Sequence, residues 1–313
     1  MRIFHQLDQI PVFKNAVITI GSFDGVHLGH AKIIEQMQAE AQQVSGESVL
    51  ITFYPHPRQI LNPDSAPIHI LNTASEKTAL LSQKAVENLV IVPFDKAFSQ
   101  MKAAAYIENF LVKYFRPHSI IIGYDHRFGK AREGNYEMLE RYASQFNYRV
   151  IEIPKKVLED SGISSTRIRK AIAEADIEKA NQLLGYDYFF SGTVTEGNQL
   201  GRKIGFPTAN LRLEDPEKLI PSFGVFAVEV QIEGYAKPFR GMLNIGTRPT
   251  VDGKKRTTEV NIFDFDETIY GKTVTLTLKK HLRNEIKFEN LEALKTQLAK
   301  DKAESLQYFS ANL

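Results

Sequence analysis

The chain has 313 residues, 43% of them hydrophobic and 24% charged, with 39 Lys and Arg against 37 Asp and Glu. This length gives two domains as the default, and the near-balance of charge, shared evenly about Tyr186, offers no basic tail or stripe of the kind that binds nucleic acid. Cysteine is absent, which excludes disulfides, thiolate catalysis and Cys-ligated zinc or iron; with no apolar leader and no run of 18 apolar residues, the expectation is a cytoplasmic protein without a membrane or nucleic-acid partner.

The β-branched run Val17-Ile18-Thr19-Ile20 reads as a buried strand, and Ile33, Ile34, Met37, Ala41 and Val44 fall at helical spacing. Between them stands Gly21-Ser22-Phe23-Asp24-Gly25-Val26-His27-Leu28-Gly29-His30, so the segment is a strand, a tight glycine loop and a helix. A helix N-terminus offers unpaired N–H groups and the positive end of the dipole, and glycine lets a phosphate approach the backbone. His27 and His30 add side-chain donors at the same place. A plain βα connection with two solvated histidines is the bland alternative, and the preceding strand and paired glycines argue against it. Metal binding is disfavoured because no acidic or Cys cluster accompanies the histidines.

Apolar runs at 49–54, 89–94, 119–123 and 148–153 read as further strands. Helical patterns lie between them at 74–85, 103–115 and 136–146, the first with a capping box in Thr73-x-x-Glu76. Strand alternating with helix implies a parallel sheet, which binds ligands beyond the carboxyl ends of its strands. The loops there are the unusual segments: Tyr54-Pro55-His56-Pro57-Arg58, where two prolines fix the direction of His56; Gly123-Tyr124-Asp125-His126-Arg127-Phe128-Gly129; and Ile163-Ser164-Ser165-Thr166-Arg167-Ile168-Arg169, entering another helix. In the last, hydroxyls stand at a helix N-terminus and Arg169 follows Thr166 at i+3, an arrangement suited to pyrophosphate.

From about Asp187 the pattern changes. Val274, Leu276 and Leu278 alternate with threonines, and Phe226, Val228, Val230 and Ile232 alternate with Ala227, Glu229 and Gln231, as in half-buried antiparallel strands. With 189–195, 239–245 and 257–263 they make five or six strands and a closing helix near 291–309, a small β-barrel capped by a helix. The boundary is expected near 185–188. A second glycine loop, Gly197-x-x-x-Gly201-Arg202-Lys203-Ile204-Gly205, leads into Phe206-Pro207-Thr208-Ala209-Asn210. On an extended stretch Thr208 and Asn210 point the same way, as two neutral oxygen ligands suited to Mg²⁺. Glu259 and Asn261 likewise share a strand face, and beside a magnesium-phosphate site Glu259 is a candidate base.

In these stretches the chain resembles the bacterial bifunctional riboflavin kinase/FAD synthetase family. G-S-F-D-G-V-H-L-G-H, F-Y-P-H-P, G-Y-D-H-R-F-G and I-S-S-T-R-I-R are similar to its FMN adenylyltransferase module, of the HxGH nucleotidylyltransferase superfamily. G-R-K-I-G-F-P-T-A-N, N-I-G-T-R-P-T, E-V-N-I-F-D and L-R-N-E-I-K-F are similar to its riboflavin kinase module. The resemblance implies an α/β Rossmann-like domain at 1–186 and an antiparallel barrel with a C-terminal helix at 187–313. It implies that riboflavin, FMN and ATP are substrates, with Mg²⁺. In the first module it puts the nucleotide on Gly21, Phe23, Asp24, Gly25, His27 and His30, with Ser164, Thr166 and Arg169 on pyrophosphate, and His56, Pro57, Asp125 and Phe128 toward FMN or adenine. In the second it puts the nucleotide on Gly201, Lys203, Gly205, Thr208 and Asn210, with Glu259 as base and Arg283 near the flavin or its flap. His126 and Phe226 depart from the family's usual aromatic and Tyr.

Two other readings compete. A different adenylyltransferase fused to a flavin-sensing barrel would keep the histidines and lose Thr208, Asn210 and Glu259, all of which are present. A nucleic-acid-binding barrel predicts a basic face with interleaved aromatics, whereas these strands alternate with Thr and acids.

Overall fold

A computed structural model, which describes residues 1–61, 68–155, 162–197, 200–250 and 253–311, divides into two compact units, Met1–Ser165 and Thr166–Leu313. The first is built on a parallel sheet of β1 (Arg2–Phe4), β2 (Val17–Ile20), β3 (Ser48–Tyr54), β4 (Asn88–Pro93), β5 (Ser119–Gly123) and β6 (Arg149–Ile153), in the order β1-β4-β3-β2-β5-β6. Every residue of β2 and β5 is buried, which is why both read as unbroken apolar runs rather than alternating ones. β1, too short to carry a pattern, adds an edge strand that periodicity does not announce. From β2 the chain builds outward through β3 and β4, then crosses to β5 and β6 on the other side. The topological switch point therefore lies at the carboxyl ends of β2 and β5, the place where such sheets receive ligands.

The helix Ala74–Gln83 begins with both halves of its capping box formed, Glu76 N–H to Thr73 Oγ1 at 3.2 Å and Thr73 N–H to Glu76 Oε2 at 2.9 Å. The expected helix at 103–115 is Ala103–Ala105 running on into a π-helical stretch, Tyr106–Phe115, whose Tyr106, Phe110 and Phe115 are buried. Tyr136–Phe146 forms as expected.

The second unit is a closed antiparallel barrel of β7 (Phe189–Thr195), β8 (Ala209–Leu213), β9 (Gly224–Ile232), β10 (Phe239–Thr250), β11 (Gly253–Ile262) and β12 (Thr273–Arg283), in the order β10-β11-β8-β7-β12-β9. Its interior holds one set of alternating positions, among them Phe190, Phe226, Val228, Leu243 and Val260, all fully buried. On the opposite face of the strands Val225, Met242 and Phe263 form a second, smaller cluster with Leu298 and Leu306 of the closing helix, Leu291–Ala311. Both faces of this part of the barrel are thus covered.

The division by packing falls earlier in the chain than residue 186, because the helices Ser165–Ala173 and Ile177–Leu184 go with the barrel. Asn181 is the pin. Its Oδ1 accepts the Tyr188 N–H at 2.8 Å, and its Nδ2 donates to Asp187 Oδ1 at 2.9 Å and to the Leu278 carbonyl of β12 at 3.0 Å. Asn181→Ala leaves backbone groups of two segments without partners and is expected to destabilise the barrel unit by about 2 kcal/mol. Denaturant unfolding of the full chain, followed by near-ultraviolet circular dichroism, measures it; an unchanged midpoint for the barrel would show that the helix merely rests there.

Candidate functional site

In the first unit the site is built on the loop that leaves β2. Phe23 has φ +46°, Gly25 +90° and Val26 +37°, and for a β-branched residue a positive φ is a true outlier, of the kind that persists only where surrounding contacts hold it. Three sets of contacts do so. The Asp24 carboxylate, buried, accepts the Leu71 and Asn72 N–H groups at 2.9 and 3.3 Å; Ser165 Oγ donates to the Asp24 carbonyl at 2.9 Å; and the Ser22 carbonyl accepts from Lys77 Nζ at 2.7 Å and Thr52 Oγ1 at 3.1 Å. Lys77 is absent from the sequence reading, because a single lysine on an amphipathic helix looks like part of a solvated face.

His27 is the N-cap of the helix Leu28–Gln43, its Nδ1 accepting the His30 N–H at 3.3 Å. That bond fixes the tautomer: with Nδ1 as acceptor, the neutral ring carries its proton on Nε2. The two imidazoles stack, centroids 3.6 Å apart and planes 11° from parallel. Gly29 leaves room for the first ring, since a Cβ there would stand a tight 3.2 Å from the His27 imidazole. Burial chiefly, then the neighbouring His27 and Lys77, hold the pKa of His30 well below the usual histidine value, so its ring is neutral at pH 7.

The remaining residues expected in this unit take varied positions. His56 follows a cis Tyr54–Pro55 bond, and its Nδ1 accepts the Arg58 N–H at 3.2 Å as Pro57 opens the short helix Pro57–Leu61. Asp125 is exposed, whereas the Phe128 ring is buried in the core, stacked on Tyr106 with centroids 5.1 Å apart. Ser164 stands beside Ser165. Thr166, exposed, and Arg169 lie on the helix Ser165–Ala173, which the division into units assigns to the second.

The second unit gathers its residues on neighbouring strands. Glu259 in β11 is directly opposite Asn210 in β8 on one side and Asn244 in β10 on the other, so the three side chains form one row on one face. Thr208 Oγ1 donates to Glu259 Oε2 at 3.4 Å, and Asn261 Nδ2 donates to the Pro207 carbonyl at 2.7 Å, holding the Thr208 segment against β11. Asn244, part of N-I-G-T-R-P-T, carries no sequence signal that singles it out; strand pairing alone brings it beside Glu259.

The glycine loop closes on itself. The Phe206 N–H donates to the Gly201 carbonyl at 2.8 Å, and a Cβ on Gly201 would stand 2.2 Å from the Phe206 carbonyl oxygen. Gly205 has φ +83°, and a Cβ on Gly197 would meet the Asn210 amide at 2.1 Å, so backbone lies directly over that side chain. Lys203 ends the helix Leu200–Lys203, and its side chain, like residues 198–199, lies outside the described residues. Arg283 is committed elsewhere on the barrel: its guanidinium binds the buried Asp301 carboxylate of the closing helix at 2.7 to 3.1 Å, which also accepts from Gln297 at 2.8 Å.

Glu259, with Thr208 Oγ1 3.4 Å from its carboxylate and Asn210 opposite it in the strand register, offers the donor types a hard divalent cation takes, one carboxylate and two neutral oxygens, from β11 and from the segment that leads into and begins β8. Among the described residues no cluster of three or more His, Cys, Asp or Glu offers a separate metal site.

His126 stacks on Phe128, centroids 6.0 Å apart, with its Nε2 buried and without a hydrogen-bond partner. Burial first, then Arg132, push its pKa from 6.5 down to about 4. Between those values the unfolded ring binds a proton that the folded ring does not, so stability falls as pH drops through this window. His126→Phe should therefore raise the melting temperature more at pH 5 than at pH 7; an equal gain at both would show that this ring stays out of the titration.

With this geometry in hand, the similarity to known proteins is specific. A family model for FAD synthetase matches residues 9–167 and one for riboflavin kinase matches residues 184–309. The bifunctional riboflavin kinase/FMN adenylyltransferase of Escherichia coli (strain K12) is 36% identical over 309 residues, covering 99% of this chain and 97% of its own length. Its namesake in Listeria monocytogenes is 37% identical, covering 95% of this chain and 93% of its own. A crystal structure from Streptococcus pneumoniae, described as a macrolide-efflux protein, superposes with a TM-score of 0.87 at 32% identity over 97% of each chain; among the described residues here, no helix is long and apolar enough to cross a membrane. Two family models in tandem and whole-length relatives agree with a parallel α/β unit followed by a closed barrel, and the chain belongs to the bifunctional riboflavin kinase/FMN adenylyltransferase family.

Proposed function

We propose that FMN adenylation takes place at the 21–30 loop and riboflavin phosphorylation at the group formed by Thr208, Asn210 and Glu259. The convergence of those three side chains is the observation that carries the reading, since it brings a base beside two oxygens fit for a magnesium-nucleotide. Phosphorylation needs a proton removed from a neutral ribityl hydroxyl. Glu259 accepts that proton while the hydroxyl oxygen attacks the γ-phosphate of ATP and the bond to the β-phosphate oxygen breaks. Thr208 and Asn210 hold the nucleotide and its Mg²⁺, which when bound neutralises charge between the phosphates. The loop carrying Gly201, Lys203 and Gly205 cradles them. Asn244 flanks Glu259, and Arg283, tied to Asp301, fixes the segment beside the flavin.

Adenylation asks for something else. An FMN phosphate oxygen, already anionic, attacks the α-phosphate of ATP, the bond to the bridging oxygen breaks and pyrophosphate leaves, so no base is required. His27 Nε2–H and the neutral His30 ring donate hydrogen bonds to the phosphates, together with the backbone of Gly21, Phe23, Asp24 and Gly25. Of the residues the resemblance gives to the departing pyrophosphate, Ser164 belongs to this unit; the His56–Pro57 loop and Asp125 face the flavin or adenine, with Phe128 setting the shape of its loop from the core side. By activity, then, the chain divides near residue 186. The reading makes it a cytoplasmic enzyme of small molecules, with no nucleic-acid or membrane partner, which its net charge of +2 supports on the nucleic-acid side.

Two variants test the separation. Glu259→Gln keeps shape and loses basicity, so riboflavin phosphorylation should fall roughly 10²- to 10⁴-fold while added FMN is still converted to FAD at close to the normal rate; a parallel fall in both, with the protein folded, would contradict it. If His30 acts as a donor, Asn in its place should retain more FAD synthesis than Ala. Equal loss in both variants would remove the donor role.

A further inference from the structure

The Ser22 carbonyl of the glycine loop accepts two side-chain hydrogen bonds. Lys77 Nζ donates to it at 2.7 Å and Thr52 Oγ1 at 3.1 Å, Thr52 itself being buried, and Lys77 Nζ lies 3.5 Å from that same hydroxyl. The capping box of Thr73 and Glu76 fixes the start of the helix directly before Lys77, which sets the direction from which the lysine reaches in. The Ser22–Phe23 peptide is trans, the single cis bond among the described residues being Tyr54–Pro55. Across a planar trans peptide the C=O and the following N–H point in opposite directions. Drawing the Ser22 oxygen toward Lys77 therefore turns the Phe23 N–H the other way. Phe23 is 2% exposed, its φ is +46°, and its N–H finds no acceptor among the described residues. A buried N–H of this kind is rare without a partner, and in a loop built for anions the fitting partner is a phosphate oxygen.

We propose that Lys77 is a positioning residue for adenylyl transfer: its ammonium holds the Ser22 carbonyl inward and so presents the Phe23 N–H to the phosphates of ATP. The ammonium is largely desolvated, with the Asp24 carboxylate as its opposite charge and the His30 ring near enough to feel its field. It acts on the nucleotide through the peptide plane and through its field, without being displaced by the substrate. The inference rests on the 21–30 loop being the ATP site.

The test uses the full-length chain with Lys77→Met, Lys77→Arg, Thr52→Val and Gly25→Ala. FAD formation is measured as a function of ATP, and FMN binding by quenching of flavin fluorescence in the absence of ATP. Loss of one charge-assisted hydrogen bond should lower kcat/KM for ATP about 10- to 100-fold in Lys77→Met. Lys77→Arg should recover most of that loss, Thr52→Val should show a several-fold fall, and FMN affinity should change less than twofold in all three. Unchanged kcat/KM for ATP in Lys77→Met, or a matching loss of FMN binding, would overturn the proposal, the second by showing a purely structural role. If Lys77→Met does not fold, Arg and Val decide: normal ATP dependence in Thr52→Val together with an inactive Lys77→Arg overturns it. Gly25→Ala separates the two levels. If it leaves kcat/KM for ATP intact, the loop is not the nucleotide site; if it lowers it while Lys77→Met does not, the loop reading stands and the role of Lys77 fails alone.

Discussion

Both sites depend on one constraint: backbone bent away from ordinary conformations has to be held there by polar groups buried beneath it. A loop that presents its N–H groups to a phosphate cannot satisfy them internally, and each strained residue costs on the order of 1–3 kcal/mol. In the first unit the strain at Phe23 and Val26 is offset from below by Lys77, Thr52 and the Asp24 carboxylate, each with its bonds already made. In the second, Gly201 and Gly205 remove the strain by having no Cβ, and the Gly201–Phe206 bond closes the loop. The two solutions differ because the sequences differ. A loop that keeps Phe and Val at positive φ needs a rigid floor, and one rich in glycine needs only a latch.

The same logic extends to the elements around each site. β2 and β5 are fully buried and paired on both sides, so the loops at their ends start from well-anchored points at the switch of the sheet. The barrel fixes Glu259 by pairing on both sides, and the buried Arg283–Asp301 pair ties the end of β12 to the closing helix. A buried pair of this kind contributes less to net stability than to geometry, because removing one partner strands the other's charge. Its effect is to hold the segment after β12, where Glu285 accepts the Thr247 N–H at 3.1 Å and so joins two of the motifs by which the family resemblance is read.

Much of this is legible in the residues alone. Val17 to Ile20 and 119–123 announced buried parallel strands by lacking alternation, while Val274, Leu276 and Leu278 announced a half-buried strand by showing it, and the capping box at Thr73 was visible from two residues. Histidines at a helix start, and Thr208, Asn210 and Glu259 on shared faces, were equally readable, because spacing alone fixes which side chains lie together on one element. What spacing cannot give is the partner across the fold. Lys77 was missed since its acceptor, the Ser22 carbonyl, is 55 positions away; Asn244 was missed since only strand register brings it beside Glu259. The family resemblance puts Phe128 and Arg283 toward the flavin but does not give their packing. The ring of one stacks on Tyr106 and the guanidinium of the other binds Asp301, contacts set by tertiary packing.

Two chemistries on one chain follow from how little each site asks of its nucleophile. An anionic FMN phosphate needs screened charge and steady donors, the part proposed for the 21–30 loop with its neutral His30; a ribityl hydroxyl needs a base, the part proposed for Glu259. The claim common to both is that braced backbone, more than side-chain charge, holds the triphosphate. Amide hydrogen exchange tests it most directly, on the full chain with Mg²⁺ and a non-hydrolysable ATP analogue. The account predicts marked slowing across residues 21–30, at the Phe23 N–H above all; unchanged exchange there, with saturating analogue bound and protection confined to the barrel, would contradict it.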